Sequence, residues 1–142
     1  MRIREATPAD LAICAGILER AWHSALPARP RRVAVDDLRE QTRGELLLLA
    51  TLERNPAGFI SVWRPEWFVH HLFVDPSWQG RGIGGRLLEH VSRLADRHPL
   101  RLKCQTENRA AIRFYERHGF RATESRGCDA FGEWVGLRGG PC

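Results

Sequence analysis

The sequence predicts a mixed α/β domain of the α+β kind: one central, mostly antiparallel sheet of about seven strands flanked by about four helices, with residues 1–142 in a single unit. Three observations predict it. Short segments that are apolar or alternating read as strands, and others carry apolar residues at helical spacing. The two kinds interleave, with a strand hairpin early and a strand-helix-strand-helix-strand run later. The length is that of one domain, enough to bury roughly two-thirds of the unfolded surface without a disulfide or metal staple.

Residues 1–5 alternate like a short strand. Thr7 is placed as an N-cap with Pro8 at the first helical position, and Leu11, Cys14, Ile17, Leu18, Ala21 and Trp22 recur at helical spacing, which gives a helix to about residue 23. The prolines of residues 26–35 make a loop, and residues 36–43 form a short helix stopped by Gly44. Residues 45–53 and 58–64 are apolar strands, and the turn sequence Asn55-Pro-Ala-Gly58 predicts an antiparallel hairpin between them. A strand over residues 67–74 follows, then a helix over 82–97 with Ile83, Leu87, Leu88, Val91, Leu94 and Ala95 on one face, ended by His98-Pro99. Residues 100–105 form a strand, 108–117 a helix stopped by Gly119, and 120–126 and 131–138 the last two strands.

The N-terminal residues carry no apolar run of the secretory type, and no apolar segment approaches the ~18 residues of a membrane helix, so a cytoplasmic protein without a membrane partner is expected. Cys14, Cys104, Cys128 and Cys142 are scattered, with no Cys-x-x-Cys pair, and indicate neither a zinc site nor a disulfide framework, so no metal is expected. The net charge of +5 comes almost wholly from arginine, Lys103 being the one lysine. These charges are spread along the chain rather than gathered on one helix face, which favours a phosphate-bearing small molecule over nucleic acid.

The segment over residues 70–91, HHLFVDPSWQGRGIGGRLLEHV, concentrates the chemistry. Gly80, Gly82, Gly84 and Gly85 stand between a strand and a helix, where consecutive backbone N–H groups of residues 79–84 can meet a pyrophosphate, with Arg81 and Arg86 adding positive charge. Residues 80–85 match Gly-x-Gly-x-x-Gly literally, with Glu107 further on. A dinucleotide fold is nevertheless excluded, because Asp75-Pro-Ser-Trp-Gln79 separates the strand from the first glycine and too little chain follows Glu107 for the remaining strands and helices. A P-loop is excluded because no Gly-Lys-Ser/Thr occurs.

Gln79, Gly82 and Gly84, in the run Leu72-Phe-Val-Asp-Pro-Ser-Trp-Gln79-Gly-Arg-Gly82-Ile-Gly84, resemble the acetyl-CoA motif Gln/Arg-x-x-Gly-x-Gly/Ala of the Gcn5-related N-acetyltransferase (GNAT) family. The segment Asn108-Arg-Ala-Ala111-Ile-Arg-Phe114-Tyr115-Glu116-Arg-His-Gly119-Phe120 resembles that family's second signature, Asn-x-x-Ala-x-x-Phe-Tyr-x-x-x-Gly-Phe. The resemblance implies that acetyl-CoA is the cofactor. It implies that main-chain groups of Phe73 and Val74 pair with the pantetheine arm where the fourth and fifth strands splay apart. The N–H groups of Gly80, Arg81, Gly82, Ile83, Gly84 and Gly85 would hold the pyrophosphate, and Asn108, Phe114 and Tyr115 would complete the cofactor site.

Acetyl transfer to an amine needs the amine neutral, the thioester carbonyl polarised and the departing thiolate protonated. Tyr115, the one tyrosine, stands where the family keeps its general acid. For the base, His70, His71 and Glu66 lie on or before the fourth strand, with His70 preferred; strand alternation would send the two histidines to opposite faces. Selectivity in the family lies in segments that here hold Trp22, His23, Arg29, Arg31 and Arg32, then Trp63 and Trp67, then Phe131, Glu133 and Trp134; arginines there would favour an acceptor amine that also carries a carboxylate or phosphate. The expected activity is direct acetyl transfer, in a ternary complex, to a primary amine of a small molecule or protein. The rivals are a non-catalytic acyl-CoA-binding module and a basic nucleic-acid-binding domain, and a homodimer is compatible with the exposed sheet edge expected.

Overall fold

The computed structural model describes residues 1–139; Cys142 lies outside them. In chain order the elements are β1 (Arg2–Glu5), α1 (Leu11–Ala25), α2 (Val35–Gln41), β2 (Leu46–Leu52), β3 (Asn55–Trp63), β4 (Phe68–Val74), α3 (Ile83–Ala95), β5 (Leu100–Gln105), α4 (Arg109–Arg117), β6 (Arg121–Asp129) and β7 (Gly132–Gly139), with single 3-10 turns at Pro8–Asp10 and Pro76–Trp78. Thr7 begins the first helical segment as expected. Its N–H and hydroxyl donate to Asp10 Oδ2 at 2.8 and 3.1 Å, and Arg4 forks onto the same carboxylate at 2.8 and 3.1 Å. Arg4 and the Thr7 N–H together hold the Asp10 carboxyl well below the ordinary range.

The β2–β3 hairpin turns two residues earlier than its sequence suggests. Glu53 and Arg54 both adopt positive φ, 53° and 66°, and Leu52 pairs with Asn55 across a two-residue loop. Such a loop has the twist that a right-handed strand pair needs. Asn55-Pro-Ala-Gly58 is therefore strand, not turn. The register passes from Ala50 opposite Gly58 to Thr51 opposite Pro56, so Ala57 is the extra residue of a bulge, a position at which a strand tolerates proline nearby.

All seven strands join one sheet in the order β1-β2-β3-β4-β5-β7-β6, antiparallel except between β4 and β5. Two core clusters cover its faces. α1 and α2 pack Ile17, Leu18, Trp22 and Leu38 against Leu49 and Phe59. α3 and α4 pack Leu87, Val91 and Tyr115 against Ile60, Leu102 and Leu137. Each fully buried large side chain contributes about 1.5–3 kcal/mol of transfer free energy.

Two irregularities in β4 shape the centre of the sheet. Its parallel pairing with β5 is confined to Phe68 with Arg101 and Val69 with Leu102, so the strands part beyond Val69. The register with β3 also slips, from Ser61 opposite His71 to Val62 opposite Val69, which leaves His70 as the extra residue of a second bulge. The expectation that His70 and His71 face opposite ways is thereby overturned. Their rings stack on one side of the sheet, centroids 4.1 Å apart.

Candidate active site

The glycine turn joins β4 to α3. Arg20 on α1 forks onto Asp75 at 2.9 and 2.6 Å, and Asp75 in turn accepts the Ser77 N–H at 3.0 Å, which anchors the chain where it leaves the strand. Gly80 and Gly82 adopt φ of 81° and 76°, a left-handed backbone that L side chains rarely accept. Gly82 is the N-cap of α3, and among the described residues no side chain caps that end. The first N–H bonded back into the helix is that of Arg86, to the Gly82 carbonyl at 3.0 Å. Among the described residues the N–H groups of Ile83, Gly84 and Gly85 consequently emerge unpartnered at the positive end of the helix dipole, a cradle for an anion. Arg81 stacks on Trp78 at 4.9 Å beside it. Gly84 and Gly85 serve a different purpose. A Cβ at Gly84 would stand 3.0 Å from Phe114, and one at Gly85 would stand 2.6 Å from His118, so these two glycines let α4 approach α3.

The gap between β4 and β5 opens toward this turn. The Asp75 N–H donates to the Ala57 carbonyl at 2.8 Å, and strand alternation then directs the Phe73 main chain toward β3 and the main-chain groups of Leu72 and Val74 into the gap. The placing of Phe73 main-chain groups in the gap is thus corrected: its carbonyl lies against β3, 2.9 Å from where a Gly58 Cβ would stand, and its ring joins the core under α1. Of the Val74 groups, the carbonyl already accepts from Gln79 Nε2 at 3.1 Å. Asn108 caps α4, its Oδ1 accepting the Ala111 N–H at 3.1 Å.

Tyr115 sits on the α3/α4 face, edge-on to Phe114 and Phe120 with centroids 5.3 and 5.5 Å away. Among the described residues its hydroxyl has no hydrogen-bond partner. Burial, with a smaller effect from Cys104, raises its pKa above the ordinary phenol value, so it stays protonated. The Cys104 and Cys14 thiols are each pushed up to about 12 by burial, which withholds the nucleophilic thiolate.

The histidines occupy the opposite face, His71 lying 6.1 Å from Phe59 between ring centroids. His71 is buried, with Nδ1 2.8 Å from Ser61 Oγ. Burial, then the neighbouring His70 and Arg31, pulls its pKa down to about 3, so it is neutral at physiological pH. A fixed neutral ring of this kind suits a structural or ligand role better than that of a base. His70 is more exposed, and its Nδ1 lies 3.1 Å from Glu45 Oε2. If Nδ1 carries the proton, Nε2 is free to accept one. Glu66 is not brought to the gap: it lies exposed in the turn before β4, at the paired end of that strand.

Two residues escaped the sequence reading. Glu45 precedes β2 and Ser61 lies on β3, and nothing in their local sequence ties them to histidines on β4. Leu72 shows a missed parity rather than a missed signal. The arginines of the loop after α1 also differ from expectation. Arg29 pairs with Glu107, its Nε 2.8 Å from Oε2, and Arg31 lies over the Trp22 and Phe131 rings at 4.6 and 4.3 Å. Their charges tie the loop down rather than standing free for an acidic acceptor, whereas Arg32 remains exposed.

Residues 24–138 match the model of the acetyltransferase (GNAT) domain family. The N-alpha-acetyltransferase RimI of Mycobacterium tuberculosis (strain ATCC 25618 / H37Rv) is 44% identical over 55 residues, a match that covers 39% of this chain and spans only 35% of RimI. The peptidyl-lysine N-acetyltransferase YjaB of Salmonella typhimurium (strain LT2) is 31% identical over 116 residues, covering 82% of this chain and 67% of YjaB. Among solved structures, a Gcn5-related N-acetyltransferase from Rhodopseudomonas palustris superposes with a TM-score of 0.83 at 20% identity, over 98% of this chain and 94% of that one. The PaiA N-acetyltransferase of Thermoplasma acidophilum, solved in complex with coenzyme A, superposes with a TM-score of 0.75 at 17% identity, over 95% of this chain and 96% of that one.

Proposed function

The chain belongs to the GNAT acetyltransferase family, and from that premise we propose that it is an N-acetyltransferase that binds acetyl-CoA and transfers the acetyl group directly, in a ternary complex, to a primary amine of a small molecule or protein. The observation that carries this reading is the alignment of the open β4 edge with the uncapped N-terminus of α3. An extended arm ending in a pyrophosphate meets main-chain partners along its length and unpartnered N–H donors at its end.

Main-chain groups of Leu72 and Val74 pair with the pantetheine arm, and the N–H groups of Ile83, Gly84 and Gly85, with Gly80, Arg81 and Gly82 shaping the approach, hold the pyrophosphate. Bound there, acetyl-CoA supplies an activated acetyl group and a thiolate leaving group. The parting of β4 and β5 brings the two faces of the sheet into communication. His70 Nε2 stands on the acceptor face and takes a proton from the amine, directly or through water. Tyr115 stands on the other face and gives its proton to the sulfur, then regains one from solvent. Glu45 holds His70 by Nδ1 and so keeps Nε2 free. The high thiol pKa of buried Cys104 favours direct transfer over a cysteine-bound intermediate.

The named activity of YjaB favours a lysine side chain in a protein among the possible acceptors. The proposed location is the cytoplasm, and the exposed outer strand β6 offers an edge for a homodimer. Among the described residues no helix is long and apolar enough to cross a membrane.

Calorimetric titration with acetyl-CoA, with NADH and a short DNA duplex as controls, tests the cofactor. Micromolar acetyl-CoA binding lost in Gly82→Val supports it. Tighter binding of either control, or no acetyl-CoA binding, overturns the reading. A thiol-release assay over a panel of amines and lysine peptides then tests transfer. Cofactor binding without release on any acceptor would replace the enzyme with a binding module.

A further inference from the structure

We propose that Glu45, His70 and His71 form a site for a divalent transition metal of the zinc class on the acceptor face of the gap, and that its occupation arrests acetyl transfer. One ligand atom from each of the three residues can be chosen so that all lie within 4.8 Å of one another. The second independent observation is Glu45 Oε1. The side chain is 8% exposed, its Oε2 faces His70, and Oε1 is enclosed with no hydrogen-bond partner among the described residues. An enclosed carboxylate oxygen without a donor costs free energy that a bound cation would offset.

The β4 bulge is what makes the site possible. Regular pleating sends successive side chains to opposite faces, whereas the extra residue at His70 brings two imidazoles to one face, tilted 29° to each other, beside the carboxylate. His71 has Nδ1 occupied by Ser61, which leaves Nε2 as its free ring nitrogen and supplies the orienting outer partner that metal-bound histidines keep. Two imidazole nitrogens and one carboxylate oxygen suit zinc, cobalt or nickel, and leave a fourth position for water. Magnesium and calcium prefer all-oxygen surroundings. Metal–ligand bonds of about 2.0–2.2 Å require the three atoms to draw closer. The His70 side chain, 37% exposed, is the most open of the three. Of the charged groups on the neighbouring loop, Arg31 acts on His71, and its guanidinium is held against the Trp22 and Phe131 rings with Asp129 nearby.

The second half of the proposal rests on the acetyl-transfer reading, and the first does not. A metal on His70 Nδ1 leaves the single proton of the neutral ring on Nε2. That nitrogen then cannot accept a proton from the amine, so transfer stops until the metal leaves.

The test uses untagged protein in a Cys128→Ser, Cys142→Ser background, so that thiols do not compete for metal. Zinc is titrated in competition with a chromophoric chelator, with magnesium as a control, on the parent and on E45Q and H70A, each checked for an unchanged thermal melt. The expected result is one zinc per chain, no effect of magnesium, and affinity about tenfold or more weaker in either variant, a loss of the size that even outer partners of metal ligands cause. Cobalt should give visible d–d bands in the parent that are absent from H70A. Failure to bind zinc stoichiometrically, or equal affinity in parent and variants, would overturn the site. Zinc bound without loss of thiol release, in a protein active before its addition, would overturn the arrest and leave the site standing.

Discussion

At the scale of single residues, burial decides which side chains can act. Tyr115 is buried with a hydroxyl that has no partner among the described residues, and its raised pKa keeps that hydroxyl protonated. Tyr115→Phe should lower kcat by about 10²-fold or more while leaving acetyl-CoA affinity unchanged; an unaltered kcat measured by thiol release would remove it from the reaction. Asp10 illustrates the structural counterpart. Arg4 and the Thr7 N–H hold its carboxyl below the ordinary value, so folding gains from the charged form. That stability is complete above the unfolded pKa of about 3.9 and is lost as pH falls toward the folded value. Urea unfolding at pH 7 and pH 3 should therefore differ less in Asp10→Asn than in the parent. Tyr115 was legible from its motif. Glu45 was not, because its partner His70 lies 25 residues away and the pairing exists only across three strands.

At the scale of elements, the glycine turn divides into two functions that its sequence shows as one. Gly82 needs its left-handed backbone but a Cβ there would meet nothing within 4 Å. Gly84 and Gly85 need space for Phe114 and His118. Gly82→Val should weaken acetyl-CoA binding and lower the melting temperature through backbone strain at its φ of 76°, whereas Gly84→Ala, at negative φ, should lower the melting temperature only through its contact with Phe114; paired calorimetry and thermal melts separate the two. The helices were read nearly to their ends because apolar spacing and capping are local. The β2–β3 turn was misplaced by its Asn-Pro-Ala-Gly sequence, since the loop at Glu53 and Arg54 lacks the usual turn residues and is imposed by the strands it joins.

At the scale of the whole molecule, the sheet order governs where the gap can open. β7 inserts between β5 and β6, so β5 has β7 on one side and only the first residues of β4 on the other. Leu137, on the inserted strand and 2% exposed, packs in the core under α3 and α4. Leu137→Ala should cost about 2–5 kcal/mol, readable as a lower urea midpoint at unchanged slope. The loop after α1 is tied to the far side of the cleft through Arg29 with Glu107 and Arg31 with Phe131. Phe131→Ala should accordingly raise KM for the acceptor more than it weakens acetyl-CoA binding, as steady-state kinetics with each substrate varied would reveal.

The sequence by itself determined the α/β class, the seven strands and four helices, the glycine turn and the two family signatures, because each depends on residues a few positions apart. Only the tertiary structure decided that β4 parts from β5 beyond Val69, that β7 enters between β5 and β6, and that His70 and His71 share a face beside Glu45. Strand pairing is set by contacts between segments distant in sequence, and a one-residue bulge reverses the facing of every side chain on one side of it.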